Sequence, residues 1–140
     1  MFNSKLNNNT LHDILIQTKI IAVVGHSDNP TRISYQIAQF LRQVGYIVIP
    51  VNPMVSEIDG QPCYASLQDV PQSVDLVNVF RRCEYLPEIV SDAIAIDAKT
   101  IWAQSGIYDE HSAKKALQAG LNVVMDSCIK VEYNRLNISR

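Results

Sequence analysis

IIAVV (residues 20–24), GHSDNPTR (25–32) and ISYQIAQFLRQV (33–44), closed by Gly45, form the stretch on which the reading of this chain turns. The first segment is continuously apolar, as in a parallel strand covered on both faces. The second holds only small, polar and turn-forming residues. In the third, Ile33, Ile37, Phe40, Leu41 and Val44 recur at helical spacing, and Gly45 suits the left-handed stop of that helix. A strand that feeds a tight loop into a helix N-terminus presents outward backbone N–H groups and the positive end of the helix dipole. The turn at Gly25, His26 and Ser27 is therefore expected to hold an anion, of the kind a nucleotide pyrophosphate supplies. Arg32, in the same loop, is placed to contact a phosphate.

The rest of the chain repeats the unit. A short helix is expected from Thr10, with Asp13 as its capping-box partner, and residues 1–9 read as a flexible segment. Further strands are expected at Gly45–Ile49, Asp75–Phe80, Thr100–Gln104 and Leu121–Met125. Helices opening at Pro87, near Asp109 and after Cys128 separate or follow them. Alternation of this kind predicts an α/β domain, a doubly wound parallel sheet of about five strands with helices on both faces. Asn78 inside the third strand reads as an edge signal, and the expected strand order is 3-2-1-4-5. Ligands of such sheets bind at the carboxyl ends of the strands, where the winding reverses. The Gly25–Arg32 loop and the Gln104-Ser105-Gly106 loop are expected to converge there.

Composition bounds the function. At 140 residues the chain is one expected domain, 1–140, and 47% apolar residues suit a packed core. A formal net charge of −2 without a basic run argues against nucleic acid and membrane surfaces as partners. The polar start has no signal-peptide core and no apolar run reaches membrane-spanning length, so a cytoplasmic location is expected. Cys63, Cys83 and Cys128 show no metal-ligand spacing and read as free thiols; no metal site is expected. The loop lacks the later glycines of GxGxxG, and the second strand ends in Ile49-Pro50 where NAD proteins place a ribose-binding acid. NAD is disfavoured on that ground, and the absence of GK[ST] excludes a P-loop.

The pattern Gly25-x-Ser27-x-x-Pro30-x-Arg32-x-Ser34-Tyr35, with Pro50-Val51-Asn52-Pro53, Val79-Phe80-Arg81 near Glu84, Gln104-x-Gly106 and Val124-Met125-Asp126-x-Cys128, resembles the small single-domain CoA-binding proteins. These are similar to the CoA-binding domain of the succinyl-CoA synthetase alpha subunit. The resemblance runs from about Thr10 to Leu136. It implies a Rossmann-like fold and coenzyme A, free or acylated, as ligand. It puts the pyrophosphate at Gly25, His26 and Ser27, with Ser34 in the same motif, and the rest of the cofactor along Asn52, Pro53, Phe80, Arg81, Gln104 and Ser105. Met54 and Ser127 stand where relatives often carry a lysine and an arginine, which removes two positive charges. The expected function is a stand-alone binding module with no catalytic residue of its own, associating with itself or with a partner chain. The alternatives are a nucleotide-dependent oxidoreductase and a thioester-handling enzyme with Cys128 as nucleophile.

Overall fold

A computed structural model describes residues 6–139. Helix α1 (Asn8–Gln17) leads into strand β1 (Ile20–Val24), helix α2 (Ile33–Gln43) and strand β2 (Ile47–Val51). A two-stranded hairpin, β3 (Glu57–Ile58) and β4 (Gln61–Pro62), precedes β5 (Leu76–Val79) and α3 (Leu86–Ala95). The chain ends with β6 (Thr100–Ala103), α4 (Glu110–Gln118), β7 (Asn122–Val124) and α5 (Ile129–Arg135). Helix α1 starts at Asn8 and not at Thr10. Asn7 caps it, its Oδ1 accepting the Thr10 N–H at 2.8 Å, so the cap lies three residues upstream of the expected one. Of the segment expected to be flexible, residues 1–5 lie outside the described residues, while Asn8 and Asn9 are helical.

The main sheet has five parallel strands, with α3 and α4 on one face and α1, α2 and α5 on the other. Period-two alternation divides each strand between the two cores. Ala22 and Val24 pack with Val77, Val79, Ile89 and Val90, while Ile21 and Val23 pack with Leu15, Ile37, Leu41 and Trp102. This is the doubly wound architecture expected. The order is corrected: it runs β2-β1-β5-β6-β7, so the third main strand lies between the first and the fourth and not outside the second. Asn78 explains the difference. It is fully buried, and its Nδ2 donates to the Trp102 carbonyl at 3.2 Å and to Gln104 Oε1 at 3.1 Å. Those bonds satisfy the buried donor, about 1–3 kcal/mol being the cost of leaving such a group unsatisfied, while Asn78 Oδ1 is buried without a hydrogen-bond partner among the described residues. The residue that marks the edge is Pro50, in β2, where a missing N–H does not interrupt the ladder. Tyr64 runs along that edge, donating to the Pro50 carbonyl and accepting from the Asn52 N–H.

The winding therefore reverses between β1 and β5. The loops brought to the switch point are Gly25–Arg32 and the segment at Phe80, with Gln104 one strand further along.

Candidate functional site

Gly25 sits where three strands end. Its N–H donates to the Val51 carbonyl at 2.8 Å, its φ is +90°, and a Cβ at this position would lie 2.9 Å from the Phe80 carbonyl oxygen. Glycine is required both by the backbone conformation and by the neighbouring backbone. Beyond it the loop is folded by its own polar side chains. The Ser27 N–H donates to Ser34 Oγ at 3.0 Å, the Asn29 N–H to Ser27 Oγ at 3.0 Å and the Thr31 N–H to Asn29 Oδ1 at 3.0 Å. The Ser27 amide, expected to face an anion, is thus occupied by Ser34. The open donors lie a few residues on. Arg32 is the N-cap of α2 and makes no side-chain cap bond, so the first-turn amides of Ile33, Ser34 and Tyr35 meet no protein acceptor among the described residues. The Arg32 side chain is exposed beside them.

His26, read from sequence as a backbone position, is the buried centre of the loop. Its Nδ1 lies 2.8 Å from the Ser27 carbonyl and its Nε2 3.2 Å from Arg42 Nη2. A carbonyl only accepts and a guanidinium only donates, so the proton is on Nδ1 and the ring is neutral. Burial, and secondarily the Arg42 charge, lower its pKa below the ordinary 6.5. The hairpin holds this arrangement from behind. Gln61 Oε1 accepts from Arg42 at 3.2 Å, and Asp59 accepts from the Tyr35 hydroxyl at 2.5 Å. The Asp59 hydrogen bond raises the Tyr35 pKa. Asn52 joins the end of β2 to the loop, its Nδ2 donating to the His26 carbonyl at 3.0 Å while its Oδ1 accepts from the Met54 N–H at 2.9 Å.

The neutral His26 has a consequence for stability. Its folded pKa lies below its unfolded value, so the unfolded chain takes up the proton first on acidification. The contribution of His26 is complete above about pH 6.5 and is lost as the pH falls toward the lowered folded value. Urea unfolding at pH 7.5 and pH 5.5 is expected to show a smaller loss in His26→Gln than in the wild type. Equal losses in the two proteins would show that another group sets the acid response.

Two depressions open on the carboxyl edge, one on each side of the Gly25 loop. The first, about 240 Å³, is lined by Val51, Pro53, Leu67, Arg81 and Tyr85, with the Arg81 guanidinium 4.3 Å from the centre of the Tyr85 ring. The second, about 330 Å³, is lined by Ile33, Phe80, Gln104, Ser105, Ile107 and Cys128. The structure thus separates the expected residues into two groups. Pro53 and Arg81 lie on the β2 side; Phe80, Gln104 and Ser105 lie on the β6 side. Met54 is 88% exposed, and Arg82 is exposed with Glu84 3.8 Å away.

By its spacing Ile33 belongs to the core stripe of α2, yet it is 61% exposed and stands at the second depression. It precedes the buried turns of α2, and periodicity alone does not distinguish a first-turn residue from the stripe behind it. Arg42, Asp59 and Gln61 were missed because their roles depend on the hairpin folding back onto α2. The Asp59-Gly60 turn, with φ +51° and +80°, is the local signal that could have revealed that hairpin. Among the described residues no group of three or more His, Cys, Asp or Glu could hold a metal ion, and no helix is long and apolar enough to cross a membrane.

Comparison with known proteins adds a family. The profile of the CoA binding domain matches residues 19–134. The uncharacterized protein YneT of Bacillus subtilis is 40% identical over 123 residues, covering 88% of this chain and 91% of that protein. An ADP-forming acetate–CoA ligase, I, of Archaeoglobus fulgidus is 33% identical over 78 residues, 56% of this chain but 11% of the ligase. Among solved structures, a hypothetical protein from Pyrococcus horikoshii OT3 superposes with a TM-score of 0.93 at 35% identity, over 98% of this chain and 96% of that one.

Proposed function

The chain belongs to the CoA binding domain family, and from that premise we propose that it binds coenzyme A, free or acylated, across the carboxyl edge of its sheet. The observation that carries the reading is the uncapped N-terminus of α2, with Arg32 beside it, set between two depressions at the switch point. The pyrophosphate lies over Gly25, His26 and Ser27 and meets the open amides of α2 and the Arg32 guanidinium. The nucleoside end takes the depression at Pro53 and Arg81, near Asn52. The pantetheine arm runs past Phe80 toward Gln104 and Ser105.

The same geometry favours a binding module over an enzyme. Cys128 lines the second depression, but no hydrogen-bonded base accompanies its thiol among the described residues. The ligase relative corresponds to this chain over a small part of its length, so its activity supplies no reaction here.

Calorimetric titration with CoA and with NAD tests the reading. CoA is expected to bind at least about tenfold more tightly, because β2 ends in Pro50-Val51, is followed by Asn52 and presents no carboxylate to a ribose. Binding of NAD without binding of CoA would overturn it.

A further inference from the structure

Gln104 is 6% exposed, and its orientation is fixed by groups that can act in only one way. The Ile129 N–H only donates, so the Gln104 atom 3.0 Å from it is Oε1. The Trp102 carbonyl only accepts, so the Asn78 atom 3.2 Å from it is Nδ2, which also donates to Gln104 Oε1 at 3.1 Å. A chain of bonds from β6 through Asn78 to the start of α5 thereby holds the Gln104 oxygen inward. Its Nε2 is left without a protein acceptor among the described residues, on a side chain that lines the 330 Å³ depression. Around it Ile33, Phe80 and Ile107 supply apolar walls, and no cationic side chain among the described residues lines the space.

On the premise that this site takes CoA, we propose that the depression beside Gln104 selects acyl thioesters over free CoA, with Gln104 Nε2 donating to the thioester carbonyl oxygen. A free thiol is a weak acceptor and leaves that amide unsatisfied, whereas a thioester carbonyl is a full acceptor. The acyl chain then covers Ile33, Phe80 and Ile107. The missing cation disfavours a free carboxylate in the same place. The volume is near the lower end of ligand pockets, which run from about 300 to 1,000 Å³. It suits the end of the pantetheine arm and a short acyl chain.

Titration with CoA, butyryl-CoA and palmitoyl-CoA tests the inference. Butyryl-CoA is expected to bind about tenfold more tightly than CoA, the effect of one hydrogen bond and a few buried methylene groups after ordering losses. Palmitoyl-CoA is expected to gain nothing over butyryl-CoA. Gln104→Glu replaces the donor with a carboxylate oxygen, and the butyryl-CoA to CoA affinity ratio is expected to fall to about one. Ile33→Trp, at an exposed position, narrows the depression without touching the buried amides and should also reduce that ratio. In the wild type, the infrared carbonyl band of ¹³C-labelled acetyl-CoA should move to lower frequency on binding. CoA binding as tight as butyryl-CoA, or an unshifted carbonyl band, would overturn acyl selection while leaving CoA binding intact. Failure of both CoA and butyryl-CoA to bind would overturn this inference together with the proposed function.

Discussion

Gly25→Ala is expected to lower the thermal unfolding midpoint by about 5–10 °C, for a loss of about 2–3 kcal/mol, and to weaken CoA binding more than tenfold. Two costs combine. The residue holds φ +90°, a conformation an L side chain rarely adopts, and the added Cβ would meet the Phe80 carbonyl oxygen at 2.9 Å and its carbon at 3.2 Å. Both contacts are with backbone, so no side chain can rotate to relieve them. Relief requires the β1 and β5 ends to separate, which strains the Gly25 N–H bond to Val51 and displaces the loop proposed to carry the pyrophosphate. Gly120→Ala is the control. Gly120 has a similar φ of +91°, but nothing lies within 4 Å of the added Cβ. It carries the conformational cost without the clash and lies outside the proposed site. Differential scanning calorimetry and CoA titration on both variants check this. Equal midpoint losses, or unchanged CoA affinity in Gly25→Ala, would show that the switch point tolerates a side chain and that the ligand does not depend on its geometry.

The alternation of strand and helix was legible because each element carries its own periodicity. The IIAVV strand, the α2 stripe at Ile37 and Leu41, and the glycine stop at Gly45 depend on neighbours in sequence. The strand order was not, because Asn78, the polar residue inside the third main strand, is buried and not at an edge. A polar side chain inside a strand indicates an edge only if solvent is its partner, and Asn78 finds its partners on β6 and at the residue just past it, more than twenty residues away. The site was legible in the same uneven way. Gly25 announces itself through the strand–loop–helix pattern, and Gln104 through its place at a strand end. His26 does not, since a histidine in a polar loop gives no sign that Arg42 will come from two turns along α2 and be held there by a hairpin. The division of the carboxyl edge into two depressions follows from β5 lying beside β1, so it could not be read before the order was known.

Arg32 and Arg82 separate a ligand contact from a solvated charge. Arg32→Ala is expected to weaken CoA binding about ten- to hundredfold, the range of a charge-assisted hydrogen bond, whereas Arg82→Ala should change it less than about twofold. Both side chains are exposed, so exposure does not decide between them. Position does. Arg82 has Glu84 3.8 Å away and lies past the end of β5. Arg32 occupies the N-cap of α2, where its side chain cannot accept from the open amides and its positive charge opposes the helix dipole. A serine, threonine or aspartate there would stabilise the free protein. An arginine is favourable at that point only when an anion sits between it and the helix, and the proposed pyrophosphate supplies that anion. The variant should therefore move two readouts in opposite directions: the unfolding midpoint without ligand is expected to hold or rise, while CoA affinity falls and becomes less dependent on salt. Calorimetric titration at two ionic strengths, with thermal unfolding of the free proteins, measures both. Equal affinity losses in the two variants would place the phosphates away from the N-terminus of α2, and a lowered midpoint in Arg32→Ala would show that the arginine serves the fold and not the ligand.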